Sequence, residues 1–478
     1  MRPGDGVGAH GTRVGRGGAA DRAGGDRVRL GTDLRLAWAL SRGSDRREWW
    51  RAGLTAAGAA LATGCAQTAV TLGALRGGYD VSLGAGLLDQ PGTRAGVIVS
   101  LLLLLIPVLG FVGQCARIGA VHRDRRLAGL RLAGATPWQV RRIAALETGL
   151  ACLLGSALAT AVAVPVLLGV WTRPNAFAWA GLTVVAAGVP VLGAVAGAVA
   201  LRRVVASPLG WVRRERRHSR PGPWLLLTAV LFAAVAVAAV ARTAQGPRPG
   251  GLEGPVIVLG AVVVAGTAAV WLVGATARLT GRLLAARTGD PAVLIAAERL
   301  AGDPWAAART HAAVLLVTVV GTGFVGVRQV MLEVLRGDKY LAENMDYYTT
   351  GLDLTAAAIG AALLIVLFAL AVGTAESLAT RRRGLAAQVA AGVPQRVLGR
   401  ALLLETALPL APAVLLAGLG GMAIGTGYTW LTDDGGSRSV PWAALLVPLG
   451  VYACCLLAAA TSLPLLRRSV RPGELRYA

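Results

Sequence analysis

The stretch Arg125-Arg126-Leu127-Ala128-Gly129-Leu130-Arg131-Leu132-Ala133-Gly134-Ala135-Thr136-Pro137-Trp138-Gln139-Val140-Arg141-Arg142 runs into Ile143-Ala144-Ala145-Leu146-Glu147-Thr148 and then into an apolar segment. The arginines up to Arg131 alternate with apolar residues, as in a basic amphipathic helix lying at an anionic membrane surface. Gly134 permits a sharp turn. Thr136 suits an N-cap, Pro137 suits the first helical position, and Gln139 follows Thr136 by three residues, the spacing of a capping box. The reading is a short helix, a small-residue knuckle, and a new helix that passes Glu147 on its way into the membrane.

A second stretch repeats this order. It contains Arg383-Gly384-Leu385-Ala386-Ala387, then Ala391-Gly392-Val393-Pro394-Gln395, and runs through Arg400 into Leu404-Glu405-Thr406. At a shift of 258 residues, ten of the 26 positions in 125–150 are identical, among them Gly134/Gly392, Arg142/Arg400 and Glu147/Glu405. The second copy has Val393 before Pro394 and no Ser/Thr cap, so its turn is expected to be less firmly set.

Around these stretches the chain is apolar. Of its 478 residues 55% are hydrophobic and 15% are charged, and the mean hydropathy is +0.60. A soluble chain carries about 25% charged residues. Ten runs are long enough to cross a hydrocarbon core of about 30 Å: 52–75, 95–116, 146–170, 178–201, 223–241, 255–277, 311–327, 354–375, 403–427 and 441–464. Prolines such as Pro107, Pro165, Pro190 and Pro412 fall inside them, which membrane helices tolerate. The expected fold class is an all-α polytopic membrane protein of about ten transmembrane helices.

The net charge of +23 is sided. With the N-terminus inside, 39 of the 48 basic residues fall in cytoplasmic segments and 9 outside, where 10 acidic residues balance them. That skew places both termini in the cytoplasm. It also removes the case for a nucleic-acid partner, leaving membrane lipids as the partner of the charge. The run Arg213-Arg214-Glu215-Arg216-Arg217 reads as an anchor at the inner leaflet. Nearly all the charge is arginine, and with 64 glycines this suggests a GC-rich, bacterial source and a cell-membrane location. Residues 1–33 read as a disordered cytoplasmic tail, 34–51 as an interfacial segment, and 471–478 as a second tail.

At this point the chain resembles the FtsX-like permeases of ABC transporters. The resemblance rests on Arg125–Pro137 with Glu147 opening the next span, and on the weaker copy at 381–406. The segment Ala296-Ala297-Glu298-Arg299-Leu300-Ala301-Gly302-Asp303-Pro304-Trp305 is similar to the family's interfacial helix. The resemblance implies two parallel four-helix FtsX-like repeats, residues 34–201 and 278–470, joined by a linking region with two spans, 202–277. It implies that Arg125, Arg126, Leu130, Arg131, Gly134, Ala135, Thr136, Pro137, Trp138 and Gln139 contact a cytosolic ATPase. In the second loop the corresponding contacts are Arg382, Arg383, Gln388, Gly392, Val393, Pro394 and Gln395. The expected partner is a separate ABC ATPase in two copies, and no cofactor is expected. The outside loops 76–94 and 328–353 are too short for the folded extracellular domain that several members carry.

Hydrolysis of ATP by this chain is not expected. A P-loop needs a lysine against the phosphates, and the only lysine is Lys339, between Asp338 and Tyr340. Glu147 and Glu405 read as ion-pair partners of Arg142 and Arg400 at the helix entries, or as intramembrane acids of an ion-coupled transporter. The outside residues Tyr340, Glu343, Asp346, Tyr347 and Tyr348 read either as a receptor for a cationic peptide or accessory protein, or as a solvated face. A third reading of the whole is a non-transporting membrane scaffold that relays ATPase motion. The four histidines have no metal spacing, and the five cysteines, all in apolar runs, read as small buried hydrophobes.

Overall fold

The computed structural model describes residues 46–75, 77–78, 86, 88–89, 91–115, 129–130, 132–171, 173–200, 253–337, 344–432, 441–464 and 466. Every element among them is helical: α1 Arg46–Ala74, α2 Pro91–Cys115, α3 Pro137–Val170, α4 Ala176–Ala200, α5 Glu253–Arg287 and α6 Pro291–Gly302. They continue as α7 Pro304–Gly337, α8 Met345–Thr380, α9 Arg382–Ala390, α10 Gln395–Thr432, a single 3-10 turn Trp442–Leu445, and α11 Leu446–Ala460.

Six helices among the described residues are long and apolar enough to cross a membrane: Trp138–Val170, Ala176–Ala198, His311–Gly337, Met345–Ala379, Gln395–Thr426 and Trp442–Ala460. A shorter apolar helix covers Thr93–Leu109. Large apolar side chains such as Leu158, Leu192, Leu364 and Leu419 face outward along these helices, a surface suited to lipid rather than water. The chain is therefore a multi-pass membrane protein. The first and sixth expected spans fall on α1 and α5, and the fifth, 223–241, lies outside the described residues, as do the two tails.

Two boundaries differ from the sequence reading. Residues 46–51 are not a separate interfacial element but the first turns of α1. Most of 328–353 is also helical, because α7 runs on to Gly337 and α8 starts at Met345. The polar residues that marked this stretch as a loop are spaced along two helix ends.

Caps define several of the junctions. Asn175 accepts from Ala178 N–H at 2.8 Å to open α4, and its amide donates to Ala74 O at 2.9 Å, closing α1. Asp290 accepts from Ala292 N–H at 2.8 Å ahead of Pro291, opening α6. Each satisfies a backbone group that the helix itself leaves without a partner.

In the first half α1 packs against α2, α3 and α4; in the second α7 packs against α8 and α10, with α11 against α10 and α8. Small residues let these helices approach, as membrane packing favours. Gly155 of α3 lies directly on the Ala56 carbonyl, and Gly326 meets Gly425 where α7 crosses α10. The two halves meet through α2 and α8. Phe111 and Cys115 bury there against Ala369. Ser100, Leu104 and Pro107 share a cavity with Thr355, Ile359 and Ala362, while the later Phe111 and Cys115 meet the later Ala369, so the two helices run in the same direction and deliver both turns to one end of the bundle.

Candidate functional site

At that end, each turn is built in the same way. In the first, Ala133 N–H donates to Gly129 O at 2.9 Å and Ala135 N–H to Leu130 O at 3.0 Å, with Gly134 at φ 97°. In the second, Ala391 N–H donates to Ala387 O at 2.9 Å and Val393 N–H to Gln388 O at 3.0 Å, with Gly392 at φ 92°. These are the same bonds displaced by 258 residues. A six-residue closing bond across a left-handed glycine is a Schellman motif. The apolar contact that accompanies such motifs is present in both: Leu130 and Ala135 against Val140 and Ala144, and Val389 and Val393 against Leu385 and Leu398.

Beyond the glycines the turns diverge. Thr136 Oγ1 accepts from Gln139 N–H at 3.2 Å and Gln139 Oε1 accepts from Thr136 N–H at 2.9 Å, the reciprocal capping box, with Pro137 at the first helical position. In the second turn Pro394 occupies the cap position and α10 begins at Gln395. Pro394 thus aligns with Thr136 rather than Pro137. Gly392 N–H donates to Val389 O at 2.9 Å, the second bond of the motif, and the cluster of Leu378, Leu385, Leu398, Leu402 and Leu466 grips the turn from below. What the missing cap leaves undone, packing supplies.

Arg125, Arg126, Arg131, Tyr340 and Glu343 lie outside the described residues, as does Lys339. Trp138, Pro394 and Gln395 are exposed, and Gln139, Arg382, Gln388 and Val393 are half-buried. Arg383 falls on α9.

The second helix-entry pair differs from its expectation. Glu405 does not meet Arg400. Its Oε1 accepts from Arg381 at 2.7 Å and its Oε2 from Arg299 at 3.1 Å. Arg400 instead faces Asp290 at 3.6 Å. The reason is angular: five residues span about 500°, which sets Arg400 and Glu405 well apart around α10. The sequence had singled out the segment around Arg299, but a contact across 106 residues leaves no mark in local spacing. Arg142 and Glu147 lie half-buried in the corresponding stretch of α3.

Toward the opposite end, an apolar cavity of about 750 Å³ lies between α2, α7, α8 and α10. Leu104 and Pro107 line it from α2, Val320 and Phe324 from α7, Ala358 and Ile359 from α8, and Ile424 from α10, with Ser100 and Thr355 among its few polar groups. Its lining residues belong to both halves, so it depends on tertiary arrangement, and nothing in the sequence marked it. Beyond it Tyr347 stacks edge-on with Tyr348, ring centroids 5.4 Å apart, and approaches Gly86 of the first half. Arg328 pairs with Asp353 at 2.8 Å, and Asp346 lies in the first turn of α8. Of these residues Tyr347 faces the other half's connecting segment, with Tyr348 and Asp346 beside it in the first turn of α8. Among the described residues no group of histidine, cysteine and acidic side chains could hold a metal ion.

Compared with known families, residues 97–209 match the model described as FtsX-like permease C-terminal, a region that takes in most of α2, the first turn, α3 and α4. No curated protein matches the chain. Over residues 97–209 the chain is thus similar to an FtsX-like permease domain.

Proposed function

We propose that this chain is the membrane subunit of an ABC-type complex, in which a separate cytosolic ATPase drives export or release of an amphiphilic substrate at the outer leaflet. The observation that carries this reading is the pair of matched turns at one end of the bundle. Each connects the second and third long helices of its half. Two copies of an ATPase would engage the two turns, and closure of the ATPases would push both halves at once. The positive-inside charge skew assigns that end to the cytoplasm.

The cavity supplies the other half of the reading. Cavities of roughly 300–1,000 Å³ accommodate drug-sized ligands. This one is apolar, lies toward the outer end, and has walls from both halves, so relative movement of the halves would change its volume. A peptide, antibiotic or lipid-like molecule with an apolar portion fits such walls. The ion-coupled alternative would use Glu147 and Glu405 as mobile acids, and of these Glu405 has both carboxylate oxygens engaged by arginines.

The test is reconstitution of the full chain with its ATPase in vesicles. Ala358→Trp, which fills the cavity, should abolish substrate movement while leaving ATPase binding intact. Undiminished transport by a chain carrying no bound ATPase would sink the proposal.

A further inference from the structure

The walls of the cavity between α2, α7, α8 and α10 are one-sided in what they offer a ligand. Among the described residues lining it none is charged, and none carries an amide, imidazole or indole; Ser100 and Thr355 are its polar side chains. Both hydroxyl protons are already used. Ser100 Oγ donates to Gly96 O at 3.0 Å, and Thr355 Oγ1 donates to Gly351 O at 2.9 Å, each within its own helix. The lining backbone lies in helix interiors, where each N–H is spent on the carbonyl four residues back. The walls therefore present no free hydrogen-bond donor.

Acceptors are another matter. Pro107 sits inside α2 and lines the cavity, and so does Leu103, one turn earlier. Proline has no N–H, so Leu103 O lacks the bond that residue 107 of a regular helix would supply. The hydroxyl oxygens of Ser100 and Thr355 keep lone pairs as well. Ser100, Leu103 and Pro107 follow one another at spacings of three and four residues, which puts them on one face of α2. The result is an apolar chamber whose few polar atoms accept and do not donate.

We propose that this cavity binds a neutral long-chain alcohol, with the hydrocarbon against the aliphatic walls and the hydroxyl donating to Leu103 O. This rests on the substrate cavity proposed above and narrows its ligand from any apolar portion to one chemical class. Every other class leaves something stranded. A peptide brings a carbonyl with each N–H, and buried carbonyls without donors cost free energy. An ester or ketone brings acceptors alone. A charged head would lie without a counter-charge, because Arg328, next in sequence to the lining Val327, is paired with Asp353 at 2.8 Å. A plain hydrocarbon leaves Leu103 O unmet. An alcohol's single donor meets the shortage, and its apolar remainder occupies the volume of about 750 Å³.

The test uses the full chain in lipid nanodiscs, without ATPase, and tritiated dodecanol as probe. Nanodiscs carrying the Ala358→Trp chain, whose cavity is filled, measure the probe that merely partitions into lipid. Binding above that background should be saturable. Dodecyl methyl ether, similar in shape but lacking the donor, should compete about 5-fold more weakly, the effect of one net hydrogen bond. Dodecyltrimethylammonium should compete more weakly still. Pro107→Ala restores the helix bond to Leu103 O and should bring alcohol and ether to within about 2-fold of each other. Equal competition by alcohol and ether in the unaltered chain, stronger competition by the cation, or no saturable binding overturns the inference. So does an undiminished preference for the alcohol in Pro107→Ala. The proposed function is read separately, as ATPase-driven movement. Transport of a cationic peptide by a chain that ignores dodecanol would overturn the inference and leave that function standing. Saturable alcohol binding without ATPase-driven movement of any substrate would do the reverse.

Discussion

Arg381 donates to Glu405 across 2.7 Å, tying the joint between α8 and α9 to the third turn of α10. Arg299 of α6 holds the other oxygen of the same carboxylate at 3.1 Å. One acidic group thereby connects the long helix entering the second turn, the helix leaving it, and the short amphipathic helix beside them. A push on α9 cannot move the joint without moving α6.

Glu405→Gln tests this knot. The amide can still accept from one arginine, but its NH2 group then faces the other guanidinium, donor against donor. A charged hydrogen bond is worth about 1.5–3 kcal/mol, and Arg381 is partly exposed, which lowers its share. The expected loss is about 1–2 kcal/mol, read from unfolding of the detergent-solubilised chain in an SDS titration. Arg400→Ala, at the longer and more exposed contact with Asp290, should cost less than about 0.5 kcal/mol.

The turn glycines make a cleaner prediction. A Cβ at Gly134 or Gly392 would meet nothing within 4 Å, so steric crowding plays no part in substitution there. Only the left-handed backbone does. Alanine at either position should cost about 1–2 kcal/mol, and asparagine less, because it tolerates that region. Thr136→Ala removes half of the capping box and should cost about 1 kcal/mol. Pro394→Thr should stabilise the second turn slightly by restoring a cap. Hydrogen exchange at Gln139 and Val397 N–H would report both changes.

These turns were the most legible part of the molecule, and the reasons are local. The signals for glycine, cap, first-turn proline and capping-box glutamine all lie within six residues of one another, so Gly134 to Gln139 could be read directly from the sequence. The apolar runs of α3, α4, α7, α8, α10 and α11 were legible because a bilayer imposes a minimum length. Glu405 was not legible, since its partners come from α6 and from the end of α8. Nor was the cavity, whose walls come from four helices. The offset of Pro394 by one position escaped notice because a Gly-x-Pro order resembles Gly-x-x-Pro until the helix start is seen.

Helix contact in the first half sets a sharper limit. A Cβ on Gly155 would fall on the backbone carbonyl of Ala56, which cannot swing aside as a side chain can. Gly155→Val should force α1 and α3 apart, and the chain should be lost from the monodisperse peak in size-exclusion chromatography. Gly169→Val on the same helix, with open space around it, should leave the peak unchanged.

Gln67 and Thr160 allow a prediction about polar groups in an apolar bundle. The buried Gln67 amide donates to Thr160 Oγ1 at 2.8 Å, with Leu182 O farther away at 3.4 Å, and Thr160 itself donates to Ser156 O at 2.8 Å. Interhelical hydrogen bonds of this kind average about 0.6 kcal/mol in membranes. Removing one partner and stranding the other costs more than removing a group whose neighbour stays engaged. Thr160→Val leaves the Gln67 amide only its long bond to Leu182 O, whereas Gln67→Leu leaves Thr160 still bonded to Ser156. The valine variant should therefore lose about 1–2 kcal/mol and the leucine variant less than about 1 kcal/mol, despite its larger change in polarity. A double-mutant cycle on the two positions, read by SDS unfolding, should show that the pair of losses is not additive. If Gln67→Leu proved the costlier change, the α1–α3 contact would depend on glutamine's shape and not on its hydrogen bond.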